Sequence, residues 1–380
     1  MMLRNITSEK KQFLSNSYFL SILQAANYFF PLLTFPYLVR VLGPEYFGLL
    51  AFATATTQYF VLLTDYGFNL SATRQVSIHR NNKDKVNEIF SSVMTIKSIL
   101  LALSFGLMFL LVQSVERFSA EKELFFLTFL TVFGHVLFPV WIFQGLEEMR
   151  YIAYLNVASK LFFTCAIFIF VNQQSDYLLV PLLLFIGSFV SSLWSLMVVK
   201  SRFYVDFSWQ PLVTLRFYAR DGWYLFVSSL SVSLYTTSIA FILGLLSSYT
   251  AVGLFSSIEK IVQAAKGLYI PFSRALYPLA SKKINDNKES GIRFVFSVAR
   301  FLVPVIFALS LMLFVFAETV TSILLGDQYD GAAVLLKIMA FLPFILVVGD
   351  MLSVQLMFNL GYQKEFTQII LVAAMLGVVF

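Results

Sequence analysis

The sequence predicts an all-α, polytopic membrane protein, and three observations carry that prediction. The chain is 59% hydrophobic and only 13% charged over 380 residues, too few charges to cover a water-exposed surface of that size. Its apolar residues gather into runs of about 20, the length of a helix that crosses a bilayer. The joints between those runs are short and polar, leaving no room for a folded domain outside the membrane.

In order, the runs are roughly 17–39, 46–68, 91–112, 124–144, 152–171, 177–199, 224–246, 250–272, 294–316 and 333–357, with an eleventh from about 366 to the last residue. The first follows a short basic segment, is too long for a signal-peptide core and lacks a small-residue cleavage site, so it reads as a retained helix. Pro31, Pro36, Pro139, Pro271, Pro304 and Pro343 lie within or at the ends of runs and read as kinks, because neighbouring helices re-satisfy the freed backbone. The basic joints 70–90, 200–223 and 273–293 read as amphipathic surface helices, with Phe203, Trp209, Leu212, Leu215 and Phe217 set between cations.

Lys and Arg orient the chain. With the N-terminus inside, the inner segments hold clusters such as Arg74, Arg80, Lys83 and Lys85, or Lys282, Lys283, Lys288 and Arg293. The outer joints hold only Arg40, Arg117 and Lys122, which makes the N-terminus cytoplasmic. The formal charge of +6 follows from this topology and does not point to nucleic acid. The single cysteine, Cys165, excludes an intramolecular disulfide, and two histidines leave little material for a metal centre.

A weak internal repeat divides the chain. A shift of 205 positions places Gly48-Leu49 on Gly253-Leu254, Gln58 on Gln263, and the basic joint near 80 on the one near 285. Duplication of this kind is a common transporter architecture. The expected organisation is two pseudo-symmetric six-helix bundles, 1–205 and 206–380, the second lacking its last helix. That gives about 11 transmembrane helices in what reads as a partial chain.

Polar residues inside the runs are the candidates for function. On one continuous helix, Glu259, Gln263, Lys266, Ile270 and Arg274 follow i, i+4, i+7, i+11 and i+15 and share a face. The repeat equates Glu259, Gln263, Ile270 and Arg274 with Thr54, Gln58, Asp65 and Asn69, and the first helix adds Ser17, Ser21, Gln24 and Tyr28 with Asn27 beside them. A charge near the bilayer centre costs roughly 2.5–3.5 kcal/mol, so such a face should meet a wet cavity or a partner. The expectation is a hydrophilic cavity between the halves, lined by helices one, two, seven and eight; for the neutral residues, interhelical hydrogen bonding is the competing reading. Lys97 and Arg300 lie about 9 Å from the inner ends of their runs and read as snorkelling to headgroups, while Lys160 and Lys260 are deeper. His135 reads as a packing residue. Embedded cations outnumber the embedded acids Glu259 and Asp350, a bias that suits an anionic substrate such as a lipid diphosphate. No P-loop, zinc spacing or nucleophile elbow occurs, so no enzyme, metal or cofactor is expected.

Several stretches resemble Wzx-type O-antigen and polysaccharide flippases of the multidrug/oligosaccharidyl-lipid/polysaccharide exporter superfamily. They are Asn27–Pro44, Phe47–Ala53, Asp65–Arg74, Pro139–Glu147 and Ala251–Lys260. The resemblance implies twelve helices in two bundles, a central cationic cavity, and flipping of undecaprenyl-diphosphate-linked oligosaccharide across the bacterial inner membrane. It also implies, for some members, coupling to a proton or sodium gradient. On that basis Lys266 and Arg274, with Lys160, Lys97, Lys260 and Arg300, are expected to attract the diphosphate. Gln24, Asn27, Thr54, Gln58 and Gln263 are expected to bond sugars, and Glu259 and Asp65 to serve coupling. Membrane lipids and the polysaccharide polymerase and chain-length machinery are the expected partners. The alternatives are a multidrug exporter of the same superfamily and an integral-membrane polysaccharide polymerase, which would need a larger outer loop.

Overall fold

A computed structural model describes residues 2–369 except 237, 363 and 367; side chains are described from 12 onward, apart from 13 and 234–236. Among the described residues every regular element is helical. In order they are α1 Met2–Asp65, α2 Phe68–His79, α3 Lys83–Ser114, α4 Glu116–Ser119, α5 Lys122–Leu137, α6 Val140–Gly145, α7 Met149–Phe170 and, after a 3₁₀ turn, α8 Leu179–Phe203. There follow α9 Leu212–Thr236, α10 Ser238–Leu246, α11 Tyr249–Gly267, α12 Ile270–Asp286, α13 Lys288–Val315, α14 Ala317–Leu325, α15 Ala332–Met339 and α16 Leu342–Asp350, which runs into a π-helical turn, Met351–Met357.

Seven described helical stretches are long and apolar enough to cross a membrane, or eight if α9 and α10, bent by 56° at their junction, form one broken span. The first two expected runs form one helix interrupted at Gly43 (φ 73°, ψ 174°). The cause is local: Pro44 has no N–H and disfavours helical backbone in the residue before it. A helix of 64 residues would be about 96 Å long, three times the hydrocarbon thickness, so this break is what lets it serve a bilayer.

Two other expectations differ from the structure. α11 is not among the membrane-length apolar helices, because Glu259, Lys260 and Lys266 fall within its 19 residues. The 200–223 joint is not one surface helix: 204–211 has no regular secondary structure and is tied to α3, with the Asp206 and Ser208 N–H groups donating to Asn87 Oδ1 (3.0 Å) and Ser91 Oγ (2.9 Å). The eleventh run lies outside the described residues beyond 369.

The chain forms two compact units, one of residues up to Leu42 with Leu49–Tyr249, the other of Gly43–Gly48 with the residues from Thr250. In the first unit α5 and α7 flank α8, α2 lies against α6, and α9 packs on α2 and α3. Trp141, Ile142 and Phe143 of α6 are fully buried among Phe68, Val76, Ile89 and Val93. In the second unit α12 and α13 pair, and α16 and the π-turn pack against α13 around Leu276, Val295, Ile306, Val347 and Met351.

Candidate functional site

The first unit contains an open polar cavity of about 320 Å³ at the end of α1. Its shape begins with how α1 stops. Tyr66 (φ 49°) and Gly67 (φ 75°) are consecutive left-handed residues that turn the chain away after Asp65. A Cβ on Gly67 would lie 2.7 Å from Leu225 Cβ, so the positive φ and the close approach of α9 both require glycine. The turn leaves Asp65 at a helix C-terminus, where the helix dipole disfavours an anion. Lys97 answers that charge from α3, with Nζ 3.7 Å from Asp65 Oδ1.

Lys97 is only 3% exposed, against 27% for Asp65. This corrects the snorkelling expectation: the ammonium turns inward to a carboxylate instead of reaching for headgroups. Gln58, Asn69 and His135 join the lining, together with Asn156 and Ser159 of α7 and Ser188, Ser191 and Ser192 of α8. The serines satisfy themselves on backbone: Ser192 Oγ donates to the Gly134 carbonyl at 2.7 Å and Ser191 Oγ to that of Leu155 at 3.0 Å. These bonds tie α8 to α5 and α7 at small residues, as in membrane helix packing generally.

Of the candidate residues, Gln58, Asp65 and Lys97 come together here. Lys160 is half-buried on α7, one turn beyond Asn156, and is not in the lining. Thr54 is exposed and its hydroxyl donates to the Leu50 carbonyl, while Gln24 and Asn27 lie on the first part of α1. The second unit holds Glu259, Lys260, Gln263, Lys266, Arg274 and Arg300. Gln263 Nε2 donates to Glu259 Oε1 at 3.1 Å, and Lys266 is half-buried, but Lys260, Arg274 and Arg300 are exposed. The expected single helix is interrupted: α11 ends at Gly267 and α12 starts at Ile270 with Pro271 in its first turn. The sequence reading set His135 aside as a packing residue, and it missed Asn156, Ser159 and the serines of α8. Ser188, Ser191, Ser192 and Ser195 at i, i+3, i+4 and i+7 were the available signal.

Lining this cavity are one cation, one carboxylate, an imidazole and several amides and hydroxyls, without a nucleophile–base arrangement among the described lining residues. Such a lining can hold a hydrated polar or anionic group within an apolar bundle.

A family model described as "Polysaccharide biosynthesis protein" matches residues 13–284. A protein of Escherichia coli (strain K12) named "Putative O-antigen transporter" is 32% identical over 362 residues, covering 95% of this chain and 87% of the relative. One of Shigella dysenteriae with the same name is 26% identical over 365 residues, covering 96% and 91%. In fold the chain resembles the inward-facing conformation of a multidrug resistance MATE family transporter of the MOP superfamily, with a TM-score of 0.66 at 15% identity over 89% of this chain and 82% of that one. The chain belongs to the polysaccharide biosynthesis protein family.

Proposed function

We propose that this chain moves a lipid-linked oligosaccharide of the O-antigen class, carried on undecaprenyl diphosphate, across a bacterial inner membrane by alternating access. One observation carries the reading: the enclosed ammonium of Lys97 lines a polar cavity within an apolar bundle, in a chain whose relatives named as O-antigen transporters match it almost throughout. The diphosphate is the charged part common to such substrates, and it needs a desolvated cation to draw it in. An ammonium has three donors, and at 3.7 Å the contact with Asp65 is looser than the 2.7–2.9 Å of a tight charge-assisted bond. Lys97 can therefore pass from Asp65 to a phosphate oxygen without being stripped of partners.

Lys266, Arg274 and Lys160 are further positions for the diphosphate along its route, with Lys260 and Arg300 at exposed places. Gln58 is the sugar contact that the cavity favours, ahead of Gln24, Asn27, Thr54 and Gln263. Asp65 enters as the group that hands Lys97 over, and Glu259, bonded to Gln263, stays a candidate for coupling to an ion gradient. The basic joints support a cytoplasmic N-terminus.

Duplication into two halves gains support from helix starts. Asn82 caps α3 through the Lys85 N–H (3.1 Å), and Asn287, at the 205-residue shift, caps α13 through the Ser290 N–H (2.9 Å). The same shift takes the Gly43 break to the gap between α10 and α11.

The test is complementation in cells lacking their own flippase, where lipid-linked repeat units collect on the inner leaflet. Expression of the chain should return them to the outer leaflet. Restored drug resistance without leaflet transfer would assign the chain to multidrug export instead.

A further inference from the structure

One short helix of the first unit is fastened at its tip by a single cation. Arg117 lies on α4, between α3 and α5. α3 starts at Lys83 in a basic joint and runs 32 residues to Ser114, so α4 sits at the end away from the basic joints. Arg117 Nε donates to the Gly244 carbonyl at 2.8 Å, and Nη2 donates to the Ser247 carbonyl. Gly244 is in the last turn of α10 and Ser247 follows its last residue. The last carbonyls of a helix have no partner within it, and the helix dipole there favours a cation. Tyr249 closes over the same group, with its ring 4.7 Å from the guanidinium carbon and its hydroxyl donating to the Arg117 carbonyl at 3.4 Å.

The same turn of α10 is seated on α1. Gly244 is buried, and a Cβ there would collide with the ring of Phe52, itself fully buried. Phe118 and Phe125 pack on Phe52 with ring centroids at 5.4 Å, Phe241 at 6.0 Å and Tyr249 at 6.3 Å. At the start of α10 the hydroxyls of Ser238 and Tyr59 share a hydrogen bond of 2.8 Å, and Phe241 meets the Tyr59 ring edge-on. α10 therefore lies along α1 from Tyr59 to Phe52. Gln58, which lines the cavity, is six residues along α1 from Phe52, about 9 Å by the helical rise. α10 also leaves α9 at a 56° bend. It is a nine-residue arm, bent at one end and held by Arg117 at the other. Hydrogen bonds from one guanidinium are directional and share one origin, so both are lost together when the arm moves.

We propose that Arg117 is a latch: it holds α10 down on α1 and keeps the cavity closed to the side on which α4 lies. Release of α10 from Arg117 is then the step that exposes the cavity to that side. The inference rests on the alternating-access reading above and adds the contact that closes one side. Arg117 acts through α10 and not on the substrate, so it is a positioning residue.

The test uses the full chain with Cys165→Ser and a reporter, Ser159→Cys, in the cavity lining, in membrane vesicles of both orientations and without substrate. The readout is the rate of alkylation by a membrane-impermeant maleimide, and a separate Lys122→Cys chain marks which vesicles present the α4 side. Arg117→Met should speed labelling of the reporter several-fold from the α4 side and not from the other, with Arg117→Lys in between because it keeps the charge and loses the fork. Gly244→Ala, which lifts α10 off Phe52 with Arg117 intact, should act in the same direction and provides the measurement should Arg117→Met not fold. Unchanged labelling in a folded variant overturns the latch, and so does a rise from both sides, which marks a loosened bundle. Because labelling needs no substrate, a chain that labels as expected but moves no lipid-linked oligosaccharide supports the latch and refutes the transport reading alone.

Discussion

Asp65 and Asp350 present the same problem in two units, a carboxylate within an apolar stretch, and the protein solves it in two ways. Asp65 has its counter-charge built in: Lys97 comes from another helix and is almost wholly enclosed. Asp350 has three neutral donors on one oxygen and no described cation. An internal ion pair is net neutral and holds its place until something competes for one partner. A carboxylate held by neutral groups keeps its place through hydrogen bonds alone. The comparison sets an ion pair against a carboxylate held by hydrogen bonds alone among the described residues.

The largest effect should come from dividing the first pair. Lys97→Met strands Asp65, and breaking a buried pair from one side costs on the order of 3 kcal/mol. Adding Asp65→Asn should recover most of that loss, measured as the unfolding midpoint in nanodiscs. If the single and double variants are equally unstable, the two residues do not act as a pair.

A smaller loss should follow Gly67→Ala, which places a Cβ on a residue at φ 75° against Leu225 and disturbs the turn that sets Asp65. Roughly 1–3 kcal/mol is expected for such a backbone. Asp350→Asn should cost within about 1 kcal/mol, because the amide oxygen still accepts the donors. A loss as large as that of Lys97→Met would mean that Asp350 has a fixed partner and would erase the contrast.

The least effect belongs to an exposed pair. Glu318 is 79% exposed, and the Lys337 hydrogen bond, 2.8 Å long, holds its carboxyl below the usual range. A depressed carboxyl pKa gives stability that is present above the free value of about 4.3 and lost as pH falls through the folded value. Glu318→Gln should therefore lower the unfolding midpoint slightly or not at all at neutral pH, with no difference from the native chain in strong acid.

Much of this fold was legible because bilayer helices are read one at a time. The run at 91–112 lies inside α3 and that at 294–316 inside α13, give or take a residue, since their composition alone decides them. The Gly43 break was available in Gly43-Pro44, and the α11–α12 break in Gly267 and Pro271, yet Pro271 read as a kink because a span was assumed to continue. The candidate site was less legible. Asp65 and Lys97 are neighbours only through the turn at Tyr66-Gly67 and the rotation of α3, neither of which periodicity supplies. Depth along a helix says how far Lys97 is from the headgroups; it does not say that a carboxylate lies closer. The basic residues singled out by type were scattered, with Lys260 and Arg300 exposed, because embedding in an apolar run is not burial within protein.

The most direct measurement separates structure from transport at Lys97. The double variant Lys97→Met with Asp65→Asn, expressed in cells without their own flippase, should fold and reach the membrane at native yield. If Lys97 draws in the diphosphate, lipid-linked repeat units stay on the inner leaflet. Transfer to the outer leaflet at the native rate would contradict the account and leave the Asp65–Lys97 pair a purely structural feature.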